Sequence, residues 1–233
     1  MFFVMRRSFR RFAAAAGVAA GVTVPALLAL PSAAAAPCPD VEVVFARGTN
    51  EPPGVGGIGG SFVDAVRSRV GGRSFNVYAV NYPASDDFGN PNFPKTVVDG
   101  IRDASSHIQS MANSCPRTRE ILGGFSQGAA VAGYVTSAAV PDGVPVASVP
   151  QPLAPDVASH IAAVALFGTP SPQFLSHLNA PPITIGAAYQ PKTVQLCAPG
   201  DGICGTGNDP AAHASYGVNG MTGRAADFAV SHL

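Results

Sequence analysis

The sequence predicts an α/β fold, a parallel β-sheet with helices on both faces. Three observations point there. Short apolar runs recur along the chain, and longer segments with apolar residues at helical spacing stand between them. Hydrophobic residues make up 47% of the 233 positions and charged residues only 12%. A strand buried on both faces reads as a continuous apolar run, and strands joined by helical crossovers pair in parallel.

The elements follow in order. Val41–Ala46 is a first strand. Phe62–Val70 is a first helix, with Phe62, Val63, Val66 and Val70 on one face. Phe75–Val80 is a second strand. In Val97–Met111 the residues Val98, Ile101, Ala104, Ile108 and Met111 share a face that Asp99, Arg102 and Asp103 avoid, the pattern of an amphipathic helix. Glu120–Phe125 is a third strand, Ala129–Ala138 a small-residue buried helix, Ile161–Phe167 and Thr193–Leu196 two further strands, and Ala225–His232 a closing helix. The proline-rich stretches Pro141–Pro155 and Pro181–Pro191 carry turn chemistry and read as surface loops. No repeat or linker divides the chain, and its length suits one domain.

The N-terminus has a separate purpose. Met1–Phe12 holds Arg6, Arg7, Arg10 and Arg11 and no acid; Ala13–Leu30 is apolar; Ser32–Ala36 is small; then comes Pro37. This is the layout of a secretory signal peptide over residues 1–36, cut within Ala33–Ala36, which leaves a domain over 37–233. Arg6-Arg7-Ser8-Phe9 also resembles a twin-arginine export signal. The formal net charge of the whole chain is zero. Removing the segment leaves ten basic residues against fourteen acids, a net charge of about −4. With no basic excess to displace counterions, a nucleic-acid partner is excluded. No second stretch could span a bilayer once the signal is gone, so the mature protein is expected outside the cytoplasm, secreted or held at the cell wall.

Cys38, Cys115, Cys197 and Cys204 all fall in the mature part. An even number in an exported chain suggests two disulfides, among three possible connectivities. Pairing Cys38 with Cys115 and Cys197 with Cys204 closes one long loop and one short one. No C-x-x-C pair is present, so zinc suits these cysteines poorly.

Gly124-Phe125-Ser126-Gln127-Gly128 matches G-x-S-x-G. It closes an apolar strand and opens a small-residue helix, the setting in which a sharp turn throws a serine hydroxyl out above a sheet. A serine needs a base, and a histidine base needs a carboxylate to hold its tautomer. The downstream histidines are His160, His177, His213 and His232; the downstream acids are Asp142, Asp156, Asp201, Asp209 and Asp227. His213 lies in an irregular segment after the last strand, at the end of the sheet where ligands bind. Asp201 lies just past the fifth strand, between Cys197 and Cys204. The backbone N–H of Gln127 can serve an oxyanion hole, with a second donor from Arg47-Gly48-Thr49-Asn50 after the first strand.

Four features together resemble the cutinases, most closely the cutinase-like esterases of mycobacteria and related actinobacteria. They are Phe45-Ala-Arg-Gly-Thr49, Gly124-Phe-Ser-Gln-Gly128, the Cys197-x₃-Asp201-x₂-Cys204 loop, and His213 followed by Tyr216-Gly217. The resemblance runs from Cys38 to near the C-terminus. It implies a lidless α/β-hydrolase, a three-layer sandwich with a central five-stranded parallel sheet. It implies Ser126 as nucleophile, Asp201 as orienting acid, His213 as base, and an oxyanion hole at Thr49 and Gln127. It also supports the pairs Cys38–Cys115 and Cys197–Cys204. Phe125 stands where many members have Tyr, and the Gly205–Ala212 segment differs in detail from fungal members.

The implied protein is a secreted serine esterase acting as a monomer on cutin-like polyesters, short- to medium-chain acyl esters or lipids, with no metal and no cofactor. A lipase, phospholipase, thioesterase or acetyl esterase is the alternative on the same fold. The rival of another class is a non-catalytic cell-wall or lipid-binding protein, which would need neither Asp201 nor His213. Phe88 and Phe93 are candidates to line an acyl groove. Gly54-Val-Gly56-Gly57-Ile-Gly59 matches G-x-G-x-x-G, but the strand after it ends in Val80-Asn81-Tyr82 without the acid a dinucleotide site wants. These glycines are expected to form a flexible loop near the oxyanion hole.

Overall fold

The structure is a computed structural model and describes residues 37–233. The predicted signal segment, residues 1–36, lies outside the described residues. Apolar segments free of proline pair into one sheet: β1 (Val41–Ala46), β2 (Phe75–Ala79), β3 (Arg119–Phe125), β4 (Ile161–Phe167) and β5 (Thr193–Leu196). Their order is β2-β1-β3-β4-β5, and every pair is parallel. All residues of β1 and β4 are buried, as strands covered on both faces must be.

Seven helices accompany the sheet among the described residues: α1 (Gly56–Arg67), α2 (Phe93–Ser114), α3 (Gln127–Val135), α4 (Pro155–His160), α5 (Pro172–His177), α6 (Pro210–Ala214) and α7 (Met221–Val230). Alternation along the strands divides the core in two. Val41, Val43 and Phe45 face α1 and α7 with Phe62, Val66, Phe167 and Ala225. Val44 and Ala46 face α2 and α3 with Ala104, Ile108, Leu122 and Val131. The rings of Phe62 and Phe167 meet edge to face at 5.4 Å, and Gly123 leaves room for the Phe45 ring, which a Cβ there would meet at 2.6 Å.

The strand order places the site. From β1 the chain crosses by α1 to β2 on one side, then returns by α2 to β3 on the other. The carboxyl ends of β1 and β3 therefore diverge into a crevice, the topological switch point where open α/β sheets hold ligands.

Three expectations are corrected. The first helix begins at Gly56, not Phe62, so the glycines read as a flexible loop form its opening turns. The Glu51 carboxylate accepts from the N–H of Gly57 at 2.7 Å, filling one orphan donor of the helix start, and from the N–H of Gly48 at 2.6 Å, tying that start to the loop after β1. Small residues then let the helix lie close to Phe45, where a Cβ on Gly59 would sit 2.6 Å from the ring. The segment holding His213 is a helical turn, α6, whose N-cap Asp209 accepts from the N–H of Ala211. The second helix starts earlier than its apolar face suggests, at Phe93 with Pro94 in its first turn.

Two glutamates stand among the apolar strand residues. Glu42 and Glu120 are register partners on β1 and β3 and are both fully buried. Burial, with the Glu42 charge beside it, pushes the Glu120 carboxyl up to about 8.

Cys38 bonds Cys115 and Cys197 bonds Cys204, the pairing the resemblance supports. The first clamps the chain before β1 to the end of α2 across 77 residues of sequence. Closing a loop of that length removes about 4 kcal/mol of denatured-state entropy. A Cys38→Ser, Cys115→Ser variant is expected to lose about 4 kcal/mol in urea unfolding.

Candidate active site

The site is built on one close backbone approach. Ser126 ends β3 with φ 55° and ψ −117°, a strained geometry that lifts its hydroxyl off the sheet before α3 begins. Its N–H donates to the Phe167 carbonyl at 2.9 Å, tying the turn to β4. A Cβ on Gly128 would lie 2.0 Å from the Ala46 carbonyl oxygen, and one on Gly124 would lie 2.1 Å from that of Gly128. The two flanking glycines thus have a steric purpose: they let the elbow press against the end of β1.

A line of hydrogen bonds leaves Ser126. Its Oγ lies 2.8 Å from Nε2 of His213, and Nδ1 of His213 lies 2.8 Å from Oδ2 of Asp201. Asp201 is buried, and both its oxygens are engaged. Oδ1 accepts from the N–H of Ile203 at 2.7 Å, and Oδ2 also accepts from the Tyr216 hydroxyl at 2.6 Å. Burial pushes the Asp201 carboxyl up. The bonds from Tyr216, His213 and Ile203 more than offset this and hold it below the usual carboxylate range. The Cys197–Cys204 bond brackets the loop that carries it. The Phe125 ring lies 4.9 Å from that of His213 and packs one side of the imidazole.

Thr49 and Gln127 line the same groove as Ser126 and His213. Among the described residues neither backbone N–H meets an acceptor, so both are free to point at a ligand. The loop that carries Thr49 is anchored from below. Arg47 is buried; its guanidinium donates to the carbonyls of Glu51 and Tyr82, each at 2.7 Å. The Gln127 side chain donates to the Ser85 carbonyl and ties α3 to the opposite loop.

These groups open onto an apolar groove of about 890 Å³. Phe88 and Phe93 line it as expected, with ring centroids 4.9 Å apart. The Pro141–Pro155 stretch is more than a surface loop: Val144, Pro145, Val149 and Pro150 line the groove. Sequence reasoning also passed over Glu51, and it named Arg47 and Tyr216 only as parts of motifs, with no supporting role. Their types carry no catalytic signal, and only the fold shows that they hold the residues that do. The other histidines stand elsewhere: His160 and His177 end the short helices α4 and α5, and His232 bonds the Phe228 carbonyl near the chain end.

A serine turn at the switch point of a parallel sheet, with helices on both faces, defines an α/β hydrolase. The Cutinase family model matches residues 37–233. The chain is 69% identical over 166 residues to "Probable carboxylesterase Culp7" of Mycobacterium tuberculosis strain H37Rv, covering 71% of this chain and 89% of that protein. It is 45% identical to the same organism's "Phospholipase Culp4", covering 97% of this chain and 92% of that one. Among solved structures, the Trichoderma reesei cutinase in complex with a C11Y4 phosphonate inhibitor superposes with TM-score 0.63 at 32% identity, covering 84% of this chain and 77% of that one. The chain belongs to the cutinase family and is a carboxylic ester hydrolase.

Two outcomes follow from the geometry. Gly128→Ala drives a Cβ into the Ala46 carbonyl, which backbone cannot yield, and is expected to cost more than about 3 kcal/mol in denaturant unfolding. Tyr216→Phe removes a bond that favours ionised Asp201, so the carboxyl pKa rises towards its ordinary value. The lowered pKa in the folded parent contributes stability above about pH 4 that is lost as pH falls through it. The gap in thermal midpoint between parent and variant should therefore be full at pH 7 and close towards pH 2.

Proposed function

We propose that this protein is a secreted serine esterase in which Ser126, His213 and Asp201 form the catalytic triad. The hydrogen-bonded line from Ser126 Oγ through His213 to Asp201 carries the reading. In the first half of the reaction His213 Nε2 takes the hydroxyl proton as Ser126 attacks the ester carbonyl. The N–H groups of Thr49 and Gln127 receive the charge that develops on the carbonyl oxygen, in a geometry preset by the loops. His213 then gives the proton to the departing alcohol, leaving an acyl-enzyme. In the second half His213 takes a proton from water, which attacks the acyl carbon, and returns it to Ser126 Oγ as the acid leaves. Asp201 keeps the imidazole in the tautomer with its proton on Nδ1 and stabilises the imidazolium.

The substrate is an ester of a short- to medium-chain acyl group, as in a polyester or a lipid. An apolar groove of this size, with few polar groups gathered at one point, suits an acyl chain laid beside a reacting carbonyl. A phospholipid is the second reading, favoured by the Phe88–Phe93 rim and by the relative named a phospholipase. Secretion is supported by the basic-then-apolar layout of residues 1–36 and by two disulfides in the folded domain. Among the described residues no helix is long and apolar enough to cross a membrane.

A fluorophosphonate probe is expected to label Ser126, and a nitrophenyl ester series from acetyl to palmitoyl should peak between butyryl and decanoyl. Ser126→Ala should abolish labelling and reduce kcat at least ~10⁴-fold, and Asp201→Asn should reduce it ~10³- to 10⁴-fold with the fold intact. Unchanged turnover in Ser126→Ala would sink the mechanism.

A further inference from the structure

At the amino end of the sheet, about 20 Å of strand away from Ser126, three chemistry-bearing side chains meet that ester hydrolysis does not use. Glu42 on β1 and Glu120 on β3 are register partners on the face covered by α2, and His107 reaches them from that helix. A carboxylate oxygen of each glutamate and a ring nitrogen of His107 all lie within 4.8 Å of one another. The relative exposure of Glu42 is 0% and that of Glu120 is 1%.

Their partners are unequal. Glu42 Oε1 accepts from the Asn76 side-chain amide at 2.6 Å, and Oε2 meets Nε2 of His107 at 2.7 Å. Among the described residues Glu120 has no partner for either oxygen, although both are buried. The cationic side chains nearby are spent elsewhere. Arg119 donates to the Ser159 carbonyl, and Lys192 to the carbonyls of Ala158 and Ile161. Two adjacent buried carboxyl groups, one of them without a partner among the described residues, make a place where a cation would find unused acceptors.

We propose that Glu42, Glu120 and His107 bind a divalent cation of the zinc type, a structural site tying β1, β3 and α2 together. Two carboxylate oxygens and one imidazole nitrogen are a donor set such a cation accepts, with water in the fourth position. The supports such a site needs are already in place. Asn76 holds the far oxygen of Glu42, and the Tyr78 ring stacks on the His107 imidazole at 3.5 Å with its hydroxyl donating to Asp103. The His107 side chain is 18% exposed, which gives an ion a path from solvent. Binding separates Nε2 of His107 from Oε2 of Glu42 and turns both towards the ion. The site takes no part in ester chemistry, so it stands or falls apart from the triad.

The test uses the protein freed of metal by chelation and titrated with zinc chloride and, separately, cobalt chloride. One equivalent should bind by calorimetry, with visible cobalt bands of a four-coordinate ion, and zinc should raise the thermal midpoint by mass action. Glu120→Gln and His107→Gln should each weaken binding at least ~100-fold and lose the midpoint shift. Their metal-free ester turnover should match the parent, which shows that they fold; if Glu120→Gln does not fold, the more exposed His107→Gln carries the comparison. Absence of stoichiometric binding to the parent, or equal binding by the folded variants, overturns the site and leaves Glu120 as a buried neutral acid.

Discussion

The contact between the elbow after β3 and the end of β1 organises the catalytic end of the molecule. Gly128 lies so close to the Ala46 carbonyl that the two segments share one surface. That contact sets the elbow that carries Ser126 against the start of the Arg47–Asn50 loop, where a Cβ on Gly128 would also meet the Arg47 carbonyl. The parallel order β2-β1-β3 makes the contact possible, because it leaves the carboxyl ends of β1 and β3 adjacent while their connections depart to opposite faces. The strain is sustained because both sides are anchored: Ser126 to β4 through the Phe167 carbonyl, and the facing loop through Arg47 and Glu51.

The acid side of the site follows a different rule. A buried carboxylate is costly unless donors surround it. Asp201 meets three: a backbone amide, an imidazole and the Tyr216 hydroxyl. They keep it ionised in a place that would otherwise neutralise it, and they fix its orientation towards His213. Tyr216 also accepts from the N–H of Ala198 at the end of β5, so one side chain couples the last strand, the acid loop and the base. Glu120 has none of these donors, and its carboxyl moves the opposite way. The same residue class is thus held as an anion in the loop past the carboxyl end of β5 and pushed towards neutrality at the amino end of β3.

Much of the catalytic end was legible because its chemistry is written in local patterns. The G-x-S-x-G string marks a turn whose geometry few sequences can adopt, and an apolar run before it with small residues after it identifies strand and helix. Asp201 between two cysteines and His213 beyond them follow the chain order that the chemistry requires. The glycine run at Gly54–Gly60 misled because glycine reads as a flexible loop. The structure makes most of it helix, since Glu51 fills one open donor at the start and the missing side chain of Gly59 allows α1 to lie against Phe45. The proline-rich wall of the groove was read as mere surface for a similar reason: turn chemistry shows where a loop bends but not what it faces.

By itself the sequence determined the fold class, five strands with their crossover helices, and the types of residue that can perform acyl transfer. These depend on periodicity, turn residues and chain order, all of which are local. Only the tertiary structure decided which histidine meets which acid and which side chains support them. It also buried Glu42 and Glu120 side by side. Those outcomes depend on register between strands far apart in sequence and on distances of a few ångströms, which no local pattern encodes.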